Sequence, residues 1–227
     1  MATVAYELRV LNFHGIGAPG RTLEPGEADY WISVDRFRNV LDRIVNHPNR
    51  DRLSITFDDS NISDLVIAAP ELQRRGLGAE FFVLTGRIGK PGSLDVEDIR
   101  ALMSAGMRIG SHGVDHRDWS SLSARELYDE LNSSKAVLEG ICGRSVRSAG
   151  IPFGRYNASV LGALRKAGYE TAYSSDGGSM MTSDFLRPRT SIRQDTTDLA
   201  LDAILSGREP PWKRLRRLVS TKIRKLV

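Results

Sequence analysis

Cysteine is almost missing: Cys142 stands alone among 227 residues, so no internal disulfide can form, and the count does not separate a reducing compartment from an oxidising one. No apolar run approaches the ~18 residues of a membrane span. The opening residues, Met1-Ala2-Thr3-Val4-Ala5-Tyr6-Glu7, lack a basic stretch followed by a long apolar one. No secretory signal is therefore expected, and the cytoplasm is the expected compartment. Short repeats and low-complexity segments are lacking, and nothing within residues 1–207 has the composition of an interdomain linker. Histidine is scarce as well, with four in the chain and none after His116.

What is present is a chain with 41% hydrophobic residues, enough for one core of the larger α/β type. Its net charge of +4 is unevenly spread. Eight Lys/Arg and one acid, Glu209, lie from Arg208 onward, leaving residues 1–207 with 24 basic and 27 acidic side chains. The body is mildly acidic and the tail strongly basic, so two regions are expected: a domain over 1–207 and a tail over 208–227.

Apolar periodicity alternates between strand and helix. Leu8 to Phe13, Leu53 to Phe57, Gly78 to Leu84, Met107 to Gly110, Val146 to Ala149 and Glu170 to Ser174 read as strands. Between them lie helices with start signals: Ser33 before the stripe Phe37, Val40, Leu41, Ile44, Val45; Ser123 and Glu126 spaced as a capping box; Asn157 before a helix ended by Gly168. A helix over about 62–75, another from Leu94-Asp95, an extended stretch from Phe185 to Ile192 and a helix from Thr197 to Leu205 complete the pattern. Regular alternation with few hairpin signals predicts a mostly parallel sheet or barrel.

Polar residues fall at the ends of those strands: His14, Asp58-Asp59, His112 with His116, Pro152 to Gly154, and Asp176. In a barrel these ends share one face, where ligands bind. Adjacent carboxylates repel, and a metal ion, a cation or a shared proton would relieve them. His112 and His116, four residues apart across Gly113, can face one ion if the segment turns, and a carboxylate with two imidazoles suits zinc or another divalent first-row metal.

Thr56-Phe57-Asp58-Asp59-Ser60 resembles the first motif of the polysaccharide deacetylases, the NodB-homology family or carbohydrate esterase family 4. Ser111-His112-Gly113-Val114-Asp115-His116 resembles their second motif, and Ile151-Pro152-Phe153-Gly154 the core of their third. The similarity spans about residues 8–195, in order. It implies an α/β fold, a distorted parallel (β/α)7-type barrel in a single domain, and a metal-dependent hydrolase that deacetylates an N-acetylated sugar in a polysaccharide or lipid-linked glycan. It further implies Asp58 as general base, Asp59, His112 and His116 as ligands of a divalent metal, expected to be Zn2+, and the backbone N–H of Phe153 as an oxyanion donor.

The chain departs from the family pattern in three places. Gly150 stands where the third motif normally supplies an arginine that orients the base; Arg155, Arg187, Arg189 and Arg193 are the candidates to replace it. The fourth motif shrinks to Ser175-Asp176-Gly177-Gly178, without tryptophan. No histidine occupies the C-terminal position of the fifth. His14, at the end of the first strand, matches the acid histidine of the circularly permuted relatives that act on poly-N-acetylglucosamine, and is expected to be the general acid. His47, beside Pro48 in a loop, reads as structural.

After Pro210-Pro211, residues Trp212, Leu215, Leu218, Val219, Ile223 and Leu226 form an imperfect apolar stripe among Lys213, Arg214, Arg216, Arg217, Lys222, Arg224 and Lys225. Such a basic amphipathic C-terminal helix suits peripheral contact of residues 209–227 with an anionic membrane, at its inner face, or packing on the barrel. No nucleic-acid partner is expected, since no stacking platform accompanies the charge. Two other functions fit the same residues: a non-catalytic carbohydrate-binding or scaffold protein that keeps the barrel, and a C–N hydrolase acting on a non-sugar amide.

Overall fold

The structure is a computed structural model and describes residues 6–208, 215 and 219–224. Ten strands and six α-helices follow in order: β1 (Glu7–Phe13), β2 (Gly15–Ile16), β3 (Trp31–Ile32), α1 (Val34–Val45), β4 (Leu53–Phe57), α2 (Ala69–Arg74), β5 (Glu80–Val83), α3 (Val96–Ser104), β6 (Arg108–Ser111), α4 (Ala124–Cys142), β7 (Ser148–Gly150), α5 (Ala158–Lys166), β8 (Thr171–Ser174), β9 (Ser179–Met181), β10 (Leu186–Ser191) and α6 (Asp198–Ser206). The helix starts are chemically marked. Ser33, Asp95, Ser123, Asn157 and Thr197 each accept a backbone N–H of the first turn, with reciprocal capping boxes at Asp95/Asp98 and Ser123/Glu126.

Strands β1, β4, β5, β6, β7, β8 and β10 pair in parallel, and β10 returns to β1 through Val10–Arg189, Leu11–Thr190 and Asn12–Ser191. Seven parallel strands thus close a barrel, as expected, and closure leaves no sheet edge among them. Alternation along each strand divides the core in two. Leu11, Phe13, Ile55, Phe57, Phe81 and Val83 face outward into a large buried layer with the helices. Leu8, Val10, Phe82, Tyr173 and Met180 form a smaller cluster inside. The lumen is narrow: a Cβ on Gly110 would lie 2.5 Å from the ring of Phe82, and one on Gly150 2.9 Å from it. Two glycines on neighbouring strands make room for one phenylalanine.

Two elements differ from the sequence reading. Instead of one helix over 62–75, residues Asp64–Ala68 form a π-turn closed by the Ala69 N–H on the Asp64 carbonyl, followed by the short α2. Pro70 lacks an N–H, so the regular helical ladder cannot run through this turn, and it widens. Strand β9 was not foreseen; it pairs antiparallel with the lower half of β1, Glu7 opposite Met181. Its run Ser179-Met180-Met181 is too short to alternate legibly. Of the expected tail helix, residues 215 and 219–224 are helical; the rest of that expectation lies outside the described residues.

Candidate active site

The upper rim of the barrel gathers the polar strand ends into an open cleft of about 380 Å³, near the low end of ligand-site sizes. His14, Asp58, Asp59, His112, His116 and Phe153 all line it. Asp58 and Asp59 follow directly on β4, and the two residues are 3% and 2% exposed.

The two aspartates have opposite environments. Asp58 is saturated. Arg189 on β10 grips it with both arms, Nη1 to Oδ1 at 2.6 Å and Nη2 to Oδ2 at 2.9 Å, and Asn12 Nδ2 donates to Oδ2 at 2.9 Å. Arg189 is itself fully buried and is held by the Ser174 carbonyl, by Asn12 Oδ1 and by the face of Phe82. Burial pushes the Asp58 carboxyl up, but Arg189, with His112 and His14 nearby, outweighs burial and holds it well below the usual carboxylate range. Asp58 is therefore ionised and fixed.

Asp59 is unspent. Its Oδ1 is buried with no hydrogen-bond partner, an expensive state unless something else satisfies it. That oxygen lies 3.6 Å from His112 Nε2 and 3.5 Å from His116 Nε2. Ligand atoms of the three residues all fall within 4.8 Å of one another. Two ligands at about 2.1 Å from one ion, set at a tetrahedral angle, stand roughly 3.4 Å apart. These residues therefore fit a divalent metal, in donor type and in spacing. The tautomers agree. His112 Nδ1 is 2.8 Å from the Gly150 carbonyl and donates to it, which leaves the Nε2 lone pair turned to Asp59. Burial lowers the His112 pKa to about 4, so the ring is neutral and free to ligate.

Backbone strain concentrates in the same place. Among the described residues, the four non-glycine positions with positive φ are Asp59 (77°), Ser60 (59°), His116 (54°) and Phe153 (56°). Three of them line the cleft, and Ser60 follows Asp59 directly and accepts the Leu84 N–H at 2.7 Å. Such conformations persist only where surroundings over-determine them, which is common at functional sites. The Phe153 ring packs 4.4 Å from that of His116 and is 53% exposed toward the cleft. Opposite, His14 Nε2 is 3.9 Å from Asp58 Oδ2, and its ring lies 4.7 Å from that of Tyr30.

The missing third-motif arginine is resolved. Arg155 pairs with Asp118, Arg187 with the Tyr173 hydroxyl and the Thr182 carbonyl, and Arg193 with Asp29 and Tyr30; only Arg189 reaches Asp58. Gly150 has become a ligand-orienting carbonyl: a Cβ there would crowd His112 Nδ1 at 3.1 Å. Asp176 does not join the cleft. Its carboxylate accepts from Tyr156, Ser174 and Arg224 beside it, and only the preceding Ser175 lines the site. His47 accepts the Asn49 N–H in its loop, in keeping with a structural part. Asn12 was overlooked. It accepts from Thr56 and Arg189 while donating to Asp58, and its one sequence signal is an amide on the strand face that otherwise carries Leu8 and Val10.

A model of the polysaccharide deacetylase family matches residues 46–172. Over 158 residues the chain is 27% identical to YxkH of Bacillus subtilis (strain 168), a protein named after the polysaccharide deacetylases, covering 70% of this chain and 53% of that one. It is 30% identical over 122 residues to a chitooligosaccharide deacetylase of Azorhizobium caulinodans, covering 53% of this chain and 56% of that one. The chain thus spans about half the length of the curated relatives it matches. Among solved structures, the Streptococcus pyogenes deacetylase PplD, in complex with acetate, superposes with a TM-score of 0.76 at 21% identity, covering 91% of this chain and 100% of that one. IcaB from Ammonifex degensii gives 0.72 at 20%, covering 88% and 95%. At these identities the structural likenesses establish the fold.

Proposed function

The chain belongs to the polysaccharide deacetylase family, and from that premise we propose that it is a metal-dependent hydrolase removing acetyl groups from an N-acetylated sugar. The observation that carries the reading is the division between neighbours. Asp58 has all its oxygens engaged and stays charged, whereas Asp59 Oδ1 has only the Nε2 atoms of His112 and His116 to face. Asp59, His112 and His116 would hold one divalent ion, zinc being the expected one. When bound, it supplies Lewis acidity to the acetamide carbonyl and lowers the pKa of an attacking water.

The chain's own residues do the rest. Asp58, oriented by Arg189 and Asn12, would take the water proton as general base. The backbone N–H of Phe153, at the cleft wall, donates to the oxyanion as the acetyl carbon becomes tetrahedral. His14, across the cleft and beside Asp58, gives the leaving amine its proton. Tyr30 packs on His14 and limits its rotation. Bond cleavage then yields acetate and a free amino sugar.

Metal analysis of the purified protein tests the reading. About one divalent ion per chain is expected, lost in Asp59→Ala and His112→Ala; a wild-type protein that takes up none under replete conditions would favour a binding module instead. The acid role has its own test. His14→Ala should keep its metal while turnover of an N-acetylated sugar falls by about 10²–10⁴, and near-normal turnover removes His14 from the mechanism.

We propose, second, that residues 209–227 bring the enzyme to an anionic membrane. Leu215, Val219 and Ile223, spaced as one helical stripe, are 64%, 52% and 55% exposed, and Arg216, Arg217 and Lys222 lie among the positions between them. Arg224 reaches back to Asp176 at 2.5 Å and lies over the Tyr156 ring, which sets it near Ser175 at the edge of the cleft. A lipid-linked glycan would suit that placement. Flotation with phosphatidylglycerol-containing liposomes should recover the full chain but not a chain ending at residue 208; equal recovery sinks the membrane reading.

A further inference from the structure

The two imidazoles of the metal site are separated by a three-residue loop, Gly113-Val114-Asp115, with no regular secondary structure of its own. Something must fix its path, because His116 reaches the site only by holding φ at 54°. One side of the loop is held by the turn after β5. Thr85 N–H donates to the Gly113 carbonyl at 3.0 Å, and Gly86 N–H to the Val114 carbonyl at 2.9 Å. The other side is held by a single carboxylate, Glu130 on α4. Val114 N–H donates to its Oε2 at 2.8 Å and Asp115 N–H to its Oε1 at 3.3 Å.

Glu130 is only 4% exposed, and among the described residues no Lys or Arg forms an ion pair with it. A buried carboxylate without a cation is costly unless its hydrogen bonds are good, so its placement here calls for a reason. The fit is close on the loop side too. Gly113 has φ 86°, and a Cβ on it would lie 2.5 Å from Glu130 Oε2. The glycine and the glutamate are matched: one removes a side chain so that the other can reach the backbone.

We infer that Glu130 is the positioning residue of the metal site, clamping the 113–115 backbone so that His112 and His116 present Nε2 to one ion. It touches neither substrate nor the reacting atoms. The inference rests on the metal-dependent reading above. Glutamine in its place keeps the shape and one acceptor, but turns an amide donor toward a backbone donor. Loss of such an outer partner weakens metal binding by about ten- to a hundredfold.

The experiment titrates Zn2+ into metal-stripped wild type, Glu130→Gln and Glu130→Asp against a chromophoric chelator, and records the visible d–d bands of the Co2+-loaded forms. The wild type should bind. Glu130→Gln should bind about ten- to a hundredfold more weakly, with an altered Co2+ spectrum. Glu130→Asp, which keeps the charge but not the reach, should fall between. The far-ultraviolet circular dichroism of all three should superpose. If Glu130→Gln binds Zn2+ as tightly as wild type with an unchanged Co2+ spectrum, the positioning role is overturned, even if the variant melts earlier. If wild type itself binds neither metal, it is the hydrolase reading that fails.

Discussion

At its lower end the barrel lumen holds Glu80, buried and fully matched by the Ser148 hydroxyl, the Tyr173 hydroxyl at 3.3 Å and Arg108 at 3.4 Å. At its upper end the lumen holds Asp58 and Asp59, equally buried, with Asp58 matched by Arg189 and Asn12 while Asp59 Oδ1, His14 Nδ1 and His116 Nδ1 have no partner. Both ends bury carboxylates in one narrow tube, yet among the described residues only the upper one leaves these polar atoms unpaired and holds non-glycine residues at positive φ. Unspent capacity, rather than buried charge itself, separates a reactive end from a structural one.

Substitutions should break that contrast in a graded way. Asp58→Asn should have the largest effect: turnover falls by about 10²–10⁴, with metal content retained, in an assay of acetate release. Arg189→Met comes next. It strands the Asp58 carboxylate, and a broken buried pair costs about 3–5 kcal/mol, or roughly 6–20 °C of Tm for a domain of this size, measurable by calorimetry. Glu80→Gln at the lower end should lose about 1–3 kcal/mol from its mismatched hydroxyl partners, while turnover per folded molecule stays within about twofold. A turnover loss as large as that of Asp58→Asn would erase the distinction between the two ends.

The smallest effect sharpens the upper end instead. Asp64, in the π-turn below the aspartate pair, is buried with an unpartnered Oδ1, and burial, then Asp59 and Asp58, raises its pKa well above 3.8. Folded, it holds its proton; unfolded, it ionises above that ordinary value. Its contribution is thus favourable below about 3.8 and is lost as pH rises toward the folded value. In chelator-treated protein, Asp64→Asn should raise stability at neutral pH by about 1 kcal/mol, and the gain should vanish near pH 3. A gain independent of pH would mean that Asp64 is charged in the fold.

Much of this was legible in the chain. Alternating periodicity announced a mostly parallel sheet or barrel, Ser33, Ser123 with Glu126, Asn157 and Thr197 announced helix starts, and the aspartate pair with His112 and His116 announced a cluster whose donors fit a metal ion. Those signals are local, carried by neighbours within one turn or one strand. What escaped is long-range. Arg189 is 131 residues from Asp58, and its register across the β10–β1 seam depends on how the barrel closes, so four arginines looked equivalent. Asn12 passed as one residue of the strand Leu8 to Phe13, because its partners are 46 and 177 residues away. Glu130 sat unremarked in a helix, since nothing in a helical stripe tells which acid faces a loop.

The seam has a consequence for how the molecule comes into being. A ribosome delivers Asp58 early and Arg189 late, after six of the seven parallel strands are already made. Until the last strand docks, the carboxylate has no guanidinium to lie against, and closing the tube around it is unfavourable. Shutting the barrel and pairing the Asp58 carboxylate with Arg189 are therefore a single event in synthesis. A chain interrupted before residue 189 should be an open tube that leaves the Asp58 carboxylate without its guanidinium.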